Sequence, residues 1–488
     1  MTGNRSKKVT LSDGFRTFIE ALFIPGSGLI SRLLNPTWII FLYLFGILHW
    51  CLFLNWGNIP FDLHDWTQAG AYLSFLRQAF LTNKLPLQIG STLVATDRYL
   101  ALPQTLISPQ AYLLRFIEPG HFTLVNFLIL YSVGFIGLLL LRRRYSLAPI
   151  AFTVLAVLYN FNGQITAHYA VGHLEWTSYF FLPFFILLVL KILEDESADW
   201  KWVLYVSINF FLMALQGAFH FVLWCWIFLL VLGLYSPKKY LLPVLKAILF
   251  SLLLCLVRFL PPAVEFIGAG KAFISGFPTV TDLFAAMIVL KYPAEAISGV
   301  FKSLGWWELD SYIGLIGLIV LIFFGVYRTW CVGTNRKTLL IPTAVLTFLS
   351  IGQIYSVINH LPIPLLDSER ISARFFILPL AVLIALSSIN LQDFLEKIGS
   401  RSIVERVFSL GILLLLTHDL MQHSRVWRVS NMYSLFTSTP VDIHSAVVHH
   451  ADAIYFGALV IGSIITVFTL TALFFLAWRE KNRNAHSQ

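Results

Sequence analysis

Apolar and polar positions along this chain alternate in long blocks. Runs of about 20 apolar residues, the length that crosses a bilayer as helix, recur from Thr37 to Trp478 with polar stretches of unequal length between them. Marked by hydropathy, the runs fall near 37–56, 122–141, 148–161, 176–193, 202–217, 218–235 and 241–266. Further runs open near Tyr312, Leu339 and Ala373, one ends near Asp419, and the last covers 454–478. This pattern predicts an all-α polytopic membrane protein with about 12 transmembrane helices.

Three polar stretches are long: 58–121, 267–310 and 422–452. The first carries helical patterns of its own. Ala69, Tyr72, Leu73, Leu76 and Phe80 share one face, which predicts a helix over 66–82, and 106–117 reads as a second. Neither is long or apolar enough to span, so both fit helices at the membrane surface. Ahead of the first run, Phe15, Phe18, Ile19, Leu22 and Phe23 line one face with Arg16 and Glu20 off it. That is the pattern of a helix lying in the cytoplasmic interface. The chain then divides into an interfacial segment (1–36), a module of seven runs with the loop 58–121 (37–266), a module of five runs (267–478) and a tail (479–488).

Composition sharpens this outline. Hydrophobic residues make up 58% and charged residues 12%, against about a quarter charged in a soluble chain. A soluble globular protein is excluded. The net charge of +9 does not point to nucleic acid, because the cations sort by side of the membrane. Arg142 to Arg144, Lys238, Lys239, Arg328, Arg336, Lys337, Arg401, Arg406, Arg479 and Lys481 fall in loops on the side of the termini, and most acids and histidines fall on the other. By the positive-inside rule the termini are cytoplasmic and the long loops external. The first 36 residues, interrupted by Arg16, Glu20 and Arg32, do not read as a cleavable signal. Cys51, Cys225, Cys255 and Cys331 lie in or beside apolar runs, with no disulfide or metal spacing.

Candidate chemistry lies in the external stretches. Asp62, His64 and Asp65 stand together in Phe61-Asp62-Leu63-His64-Asp65-Trp66. A carboxylate there can take a proton from an incoming hydroxyl or hold Mg²⁺ or Mn²⁺. Asp65 followed by Gln68 equally fits a helix N-cap with a reciprocal Gln. Asp62 reads as the more structural of the two acids. His168, His173 and Glu175 bracket Gly172, which lets the chain turn close to another backbone. Their spacing does not place three zinc ligands on one helical face. Arg370 and Arg374 are one helical turn apart, on the outer side where cations are scarce. Their forks match phosphate oxygens, and an ion pair with Asp367 or Glu369 is the bland alternative. Arg258, inside an apolar run that also holds the kinking pair Pro261-Pro262, is a functional candidate by its position. Gln216-Gly217-Ala218-Phe219-His220 marks the meeting of the fifth and sixth runs. No organic cofactor is called for.

Several of these features coincide: an acid after the first run in a long loop with surface helices, Gly172-His173 and Trp176 leading into the fourth run with Pro183 beyond, and Arg370-x-x-x-Arg374-Phe375 opening a late run. Together they resemble the GT-C superfamily of integral-membrane glycosyltransferases, nearest its bacterial YfhO-like branch. Here the acids are three apart with His64 beside Asp65, where the family commonly pairs them more closely. Ser372 stands where the branch often has Pro. The resemblance implies an inverting enzyme of the bacterial inner membrane. It would move a sugar from a polyprenyl-phosphate carrier to an envelope glycan, lipid or protein acceptor on the outer side. It makes Asp65, with Asp62 and His64, the catalytic group, and gives the donor phosphate to Arg370, Arg374 and Arg258. His168, His173 and Glu175 position substrate, and Trp306 and Trp307 stack on sugar or belong to an interfacial aromatic belt. A transporter or flippase of lipid-linked envelope precursors is the alternative. It calls for ionisable groups or broken helices at mid-membrane; His49 is the main such group, and the two halves show no repeat.

Overall fold

The computed structural model describes residues 11–26, 29–195, 198–266, 273–291, 305–360, 369–398, 403–435 and 440–486. Helix α1 (Leu11–Phe23) forms over the amphipathic segment, and α2 (Leu29–Phe53) follows. Ile19, Leu22 and Phe23 are buried, against α2 and helices from later in the chain. Part of the apolar face of α1 is therefore covered by protein, while Phe18 on the same face is exposed. Glu20 also ties the helix down, meeting Arg16 one turn back and Arg406 at 3.2 Å.

Among the described residues, seven helices are long and apolar enough to cross a membrane, or eight if one bent pair is a single span. The chain is an α-helical membrane protein, and among the described residues such helices are fewer than the twelve apolar runs. The fifth and sixth runs form α8 (Trp200–Leu215) and α9 (Phe219–Tyr235), apolar helices of 16 and 17 residues. The run near Leu339 breaks at Ser350-Ile351 into Leu340–Leu349 and Gly352–Asn359. The helix Ile403–Val426 carries Glu405, Arg406, Asp419 and Arg425, which lower its hydropathy.

The bent pair is α10 (Leu242–Leu254) and α11 (Leu256–Glu265), turned by 72°. The bend falls at Cys255, six residues before the Pro261-Pro262 pair where the sequence places the kink. Thr466, on the last helix Ala453–His486, explains how the break is tolerated. Its hydroxyl donates to the Leu254 carbonyl at 3.0 Å and accepts the Val257 N–H at 3.3 Å.

In the first polar stretch, α3 (Trp66–Leu81) forms as its periodicity predicts. The second expected helix is a short 3₁₀ turn, Pro109–Arg115. Two distant stretches then close over each other. Strand β1 (Ile89–Gly90) pairs antiparallel with β2 (Ala446–Val447). Arg98 bridges Asp452 and Glu265, each at 2.6 Å.

Helix α4 (Pro119–Arg144) leads to the interior of the fold. There α5 (Pro149–Phe161) and α6 (Gly163–Ala170) are buried at every position. Much of the polar segment between the third and fourth apolar runs is thus helix. Asn162 makes the join: its amide donates to the Leu158 and Tyr159 carbonyls at 2.9 Å, and its Oδ1 accepts the Gln164 N–H at 3.1 Å. One side chain ends α5 and caps α6. A 3₁₀ turn, Leu174–Phe181, then enters α7 (Leu182–Glu194), with Pro183 in its first turn.

Candidate active site

The site begins where the loop after α6 docks on the start of α3. Gly172 has φ +103°, and a Cβ there would lie 2.4 Å from the Trp66 backbone nitrogen. Only glycine permits both the conformation and the approach. Trp66 Nε1 donates to the Ala170 carbonyl at 2.9 Å and locks the join. The result sets His173 Nε2 2.7 Å from Asp65 Oδ2. Asp65 does not cap α3 with its side chain. Gln68, its expected capping partner, instead accepts from Gln104 Nε2 at 3.0 Å.

A chain of polar contacts continues inward. His173 Nδ1 lies 2.8 Å from His168 Nδ1, so one of the two nitrogens carries the proton. His168 is fully buried and stacked on Trp176, with ring centroids 4.0 Å apart. Its Nδ1 is 3.9 Å from Glu308. Arg374 then grips Glu308 as a fork: Nε to Oε2 at 2.8 Å and Nη2 to Oε1 at 2.6 Å. The guanidinium also lies over the Trp176 ring, 5.1 Å from its centroid. A second acid–imidazole pair stands nearby. His220 Nδ1 meets Glu369 Oε2 at 2.9 Å, and Trp224 Nε1 donates to the same oxygen at 3.2 Å.

These groups surround one cavity of about 450 Å³, lined among others by Asp65, His173, Glu175, His220, Arg370 and Arg374. Burial opposes ionisation of Asp65, but the hydrogen bond and charge of His173 outweigh it and hold the carboxyl below its usual range. Burial likewise opposes charge on His173, yet Asp65 and then Glu308 raise its pKa. As an imidazolium, His173 donates to both Asp65 and His168. Glu308 is held well below the carboxylate range: burial works against this, and Arg374 overcomes it. The buried Glu369 is held low against the same opposition, mainly by His220. The cavity therefore presents an ionised, 60% exposed Asp65 side chain near two arginines of different availability. Arg374 is neutralised by Glu308, whereas Arg370 is exposed.

Not every expected residue reaches the cavity. Asp62 is not in its lining, and its buried Oδ1 has no hydrogen-bond partner. His64 packs its ring 5.0 Å from Trp307 at φ +48°, also outside the lining. Their expected place beside Asp65 as catalytic groups is corrected this far: neither lines the cavity, although His64 lies close enough to Asp65 and His173 to feel their charges. His168 stands behind His173, so it braces that ring and does not touch the cavity. Arg258 is corrected more fully. Its guanidinium is fully buried and donates to the Leu100, Thr105 and Ala214 carbonyls at 3.1, 2.9 and 3.3 Å. It pins the loop 99–105 to α11. Trp306 is buried under Lys291, and Trp307 lines the cavity. Asp367 lies outside the described residues. The ion-pair partner of Arg374 is Glu308, a residue the sequence reading missed along with His220 as a site group. An acid set between two tryptophans and Asp310 was the available signal for Glu308.

Among the described residues, His168, His173 and Glu308 can gather around a metal ion, their ligand atoms lying within 4.8 Å of one another. Two imidazoles and a carboxylate suit Zn²⁺ better than Mg²⁺ or Mn²⁺. Arg374 already occupies both Glu308 oxygens, so a cation there competes with that fork. No protein-family model matches the chain, and no curated protein matches it.

Proposed function

We propose that the chain is an inverting membrane glycosyltransferase of the GT-C type, acting on a sugar carried by a polyprenyl phosphate. One observation carries this reading: the ionised carboxylate of Asp65 shares a cavity with the exposed cation Arg370. Glycosyl transfer from a phosphate carrier needs both, a base for the acceptor hydroxyl and a cation for the leaving group. Asp65 takes the acceptor's proton as the acceptor oxygen attacks the anomeric carbon. The bond to the carrier phosphate breaks on the opposite face. Arg370 meets the phosphate, which gains charge as it leaves. Arg374 contributes by holding Glu308, and through it the His168–His173 pair that orients Asp65. Trp307 offers a ring to a sugar face.

The acceptor is an envelope glycan, lipid or protein, and the setting is the bacterial inner membrane with cytoplasmic termini, in keeping with the distribution of Lys and Arg. The test is the full chain in lipid nanodiscs with sugar-loaded polyprenyl phosphates. Acceptor-dependent release of free polyprenyl phosphate is expected. Movement of the intact lipid-linked sugar across vesicles without release would favour the transporter class instead.

A further inference from the structure

The cavity holds a histidine that the scheme above leaves unused. Among the described residues, two histidines line it, His173 and His220. His173 has no ring nitrogen to offer, since Nε2 meets Asp65 and Nδ1 meets His168. His220 differs. Its Nδ1 is bound by Glu369, and with its side chain 34% exposed it has Nε2 left to meet a ligand. Glu369 is a firm anchor: its side chain is fully buried, and it also accepts from Trp224 Nε1 and from the Ile371 N–H at 3.4 Å. Glu369 holds the Nδ1 proton, so Nε2 carries a proton of its own in the imidazolium form, and it is that form that acts as an acid. Glu369 is also the chain neighbour of Arg370, so the loop that carries the exposed cation carries the anchor of the imidazole.

We propose that His220 is the acid of the reaction, giving its Nε2 proton to the phosphate oxygen that leaves the sugar. This rests on the transferase reading. The step balances. The acceptor oxygen forms its bond to the anomeric carbon and its proton goes to Asp65. The anomeric carbon–oxygen bond breaks, and its electron pair stays on the phosphate oxygen. That phosphate passes from a diester to a monoester, whose second proton binds with a pKa near 6. An imidazole can deliver a proton in that range, which a guanidinium cannot. Glu369 is a positioning residue, acting through His220. Arg370 then supplies charge, and His220 supplies the proton.

The experiment uses the full chain in nanodiscs under single-turnover conditions, with two donors of one sugar and one anomeric configuration. The first is the polyprenyl-phosphate sugar that the wild type accepts. The second is the dinitrophenyl glycoside, whose leaving group needs no proton. His220→Gln should slow transfer from the lipid phosphate by roughly 10²–10⁴-fold, the scale of a lost general acid. It should slow transfer from the dinitrophenyl glycoside far less. Glu369→Gln should show the same donor-dependent split at smaller size, which guards against a variant that merely misfolds. Binding of dodecyl phosphate to the same samples should be little changed by His220→Gln. Equal slowing with both donors, or none with the lipid phosphate, overturns the acid role while leaving the transferase standing. A wild type that releases no polyprenyl phosphate from any lipid-phosphate sugar overturns the transferase reading itself, and this role with it.

Discussion

Replacing Asp65 by Asn removes a charge while keeping an acceptor oxygen for His173. The structural cost should be small. A hydrogen bond to a charged group contributes about 1.5–3 kcal/mol and a neutral one about 0.5–1.5 kcal/mol. The Asp65 side chain is 60% exposed, so solvent screening should hold the difference under about 1 kcal/mol. Asp65→Ala loses no cap bond, but it leaves the buried His173 Nε2 without its partner and should cost about 1–3 kcal/mol. The chemical cost is larger. Losing a general base slows turnover by roughly 10²–10⁴-fold, which is about 2.7–5.5 kcal/mol of barrier. Both variants should therefore fail in transfer, with Asp65→Asn folding nearly normally. The stability difference should also depend on pH. The Asp65 pKa is lowered by folding, so its share is present above the ordinary carboxylate pKa and is lost as pH falls through the folded value. The His173 pKa is raised, so its share is complete below the ordinary imidazole pKa and is lost as pH rises through the folded value. The pair is intact between roughly pH 4 and 6.5, and wild type and Asp65→Asn should differ most there. The assay is single-turnover transfer and thermal unfolding on the same nanodisc samples across that range. Wild-type transfer in a folded Asp65→Asn would remove Asp65 as the base and leave Glu175, a half-buried acid of the same lining, as its successor.

Three other outcomes are expected. Arg374→Ala strands Glu308 as an unpaired buried charge and should cost about 3–5 kcal/mol of stability, whereas Arg370→Ala should leave stability within about 0.5 kcal/mol and raise the KM for the lipid-phosphate donor. Thermal unfolding and donor titration of both variants check this, and equal melting temperatures would contradict the assignment. Gly172→Ala forces a side chain to φ +103° and into the Trp66 backbone. It should destabilise by at least about 1–3 kcal/mol and part His173 from Asp65, lowering both melting temperature and transfer; a wild-type melting curve would refute the close approach. In a cysteine-free background, an impermeant thiol reagent applied outside intact cells should label a cysteine at position 90 and spare one at 335, and the reverse pattern would invert the orientation.

Some of this protein is legible in its residues in order. The apolar runs announce a helical membrane protein, and the face Ala69–Tyr72–Leu73–Leu76 sets α3 within one residue of its observed end. Gly172 signals a close backbone approach. These are local properties, since periodicity and glycine freedom are decided within a few residues of chain. The rest depends on which segments meet. Arg258 looks functional because an intramembrane cation usually is, but its donors are taken by carbonyls of the loop 99–105, some 150 residues earlier in the chain. Arg374 looks like a free phosphate ligand until Glu308 closes on it from before the preceding apolar runs. His220 gains its interest only when Glu369 is laid against it. Hydropathy counts apolar runs, but length and breaks decide which become long helices, and the break at Cys255 is stable because Thr466 on the last helix satisfies the groups it frees. A charged side chain in a protein interior takes its role from its partner, and here the partners come from segments far away in the chain.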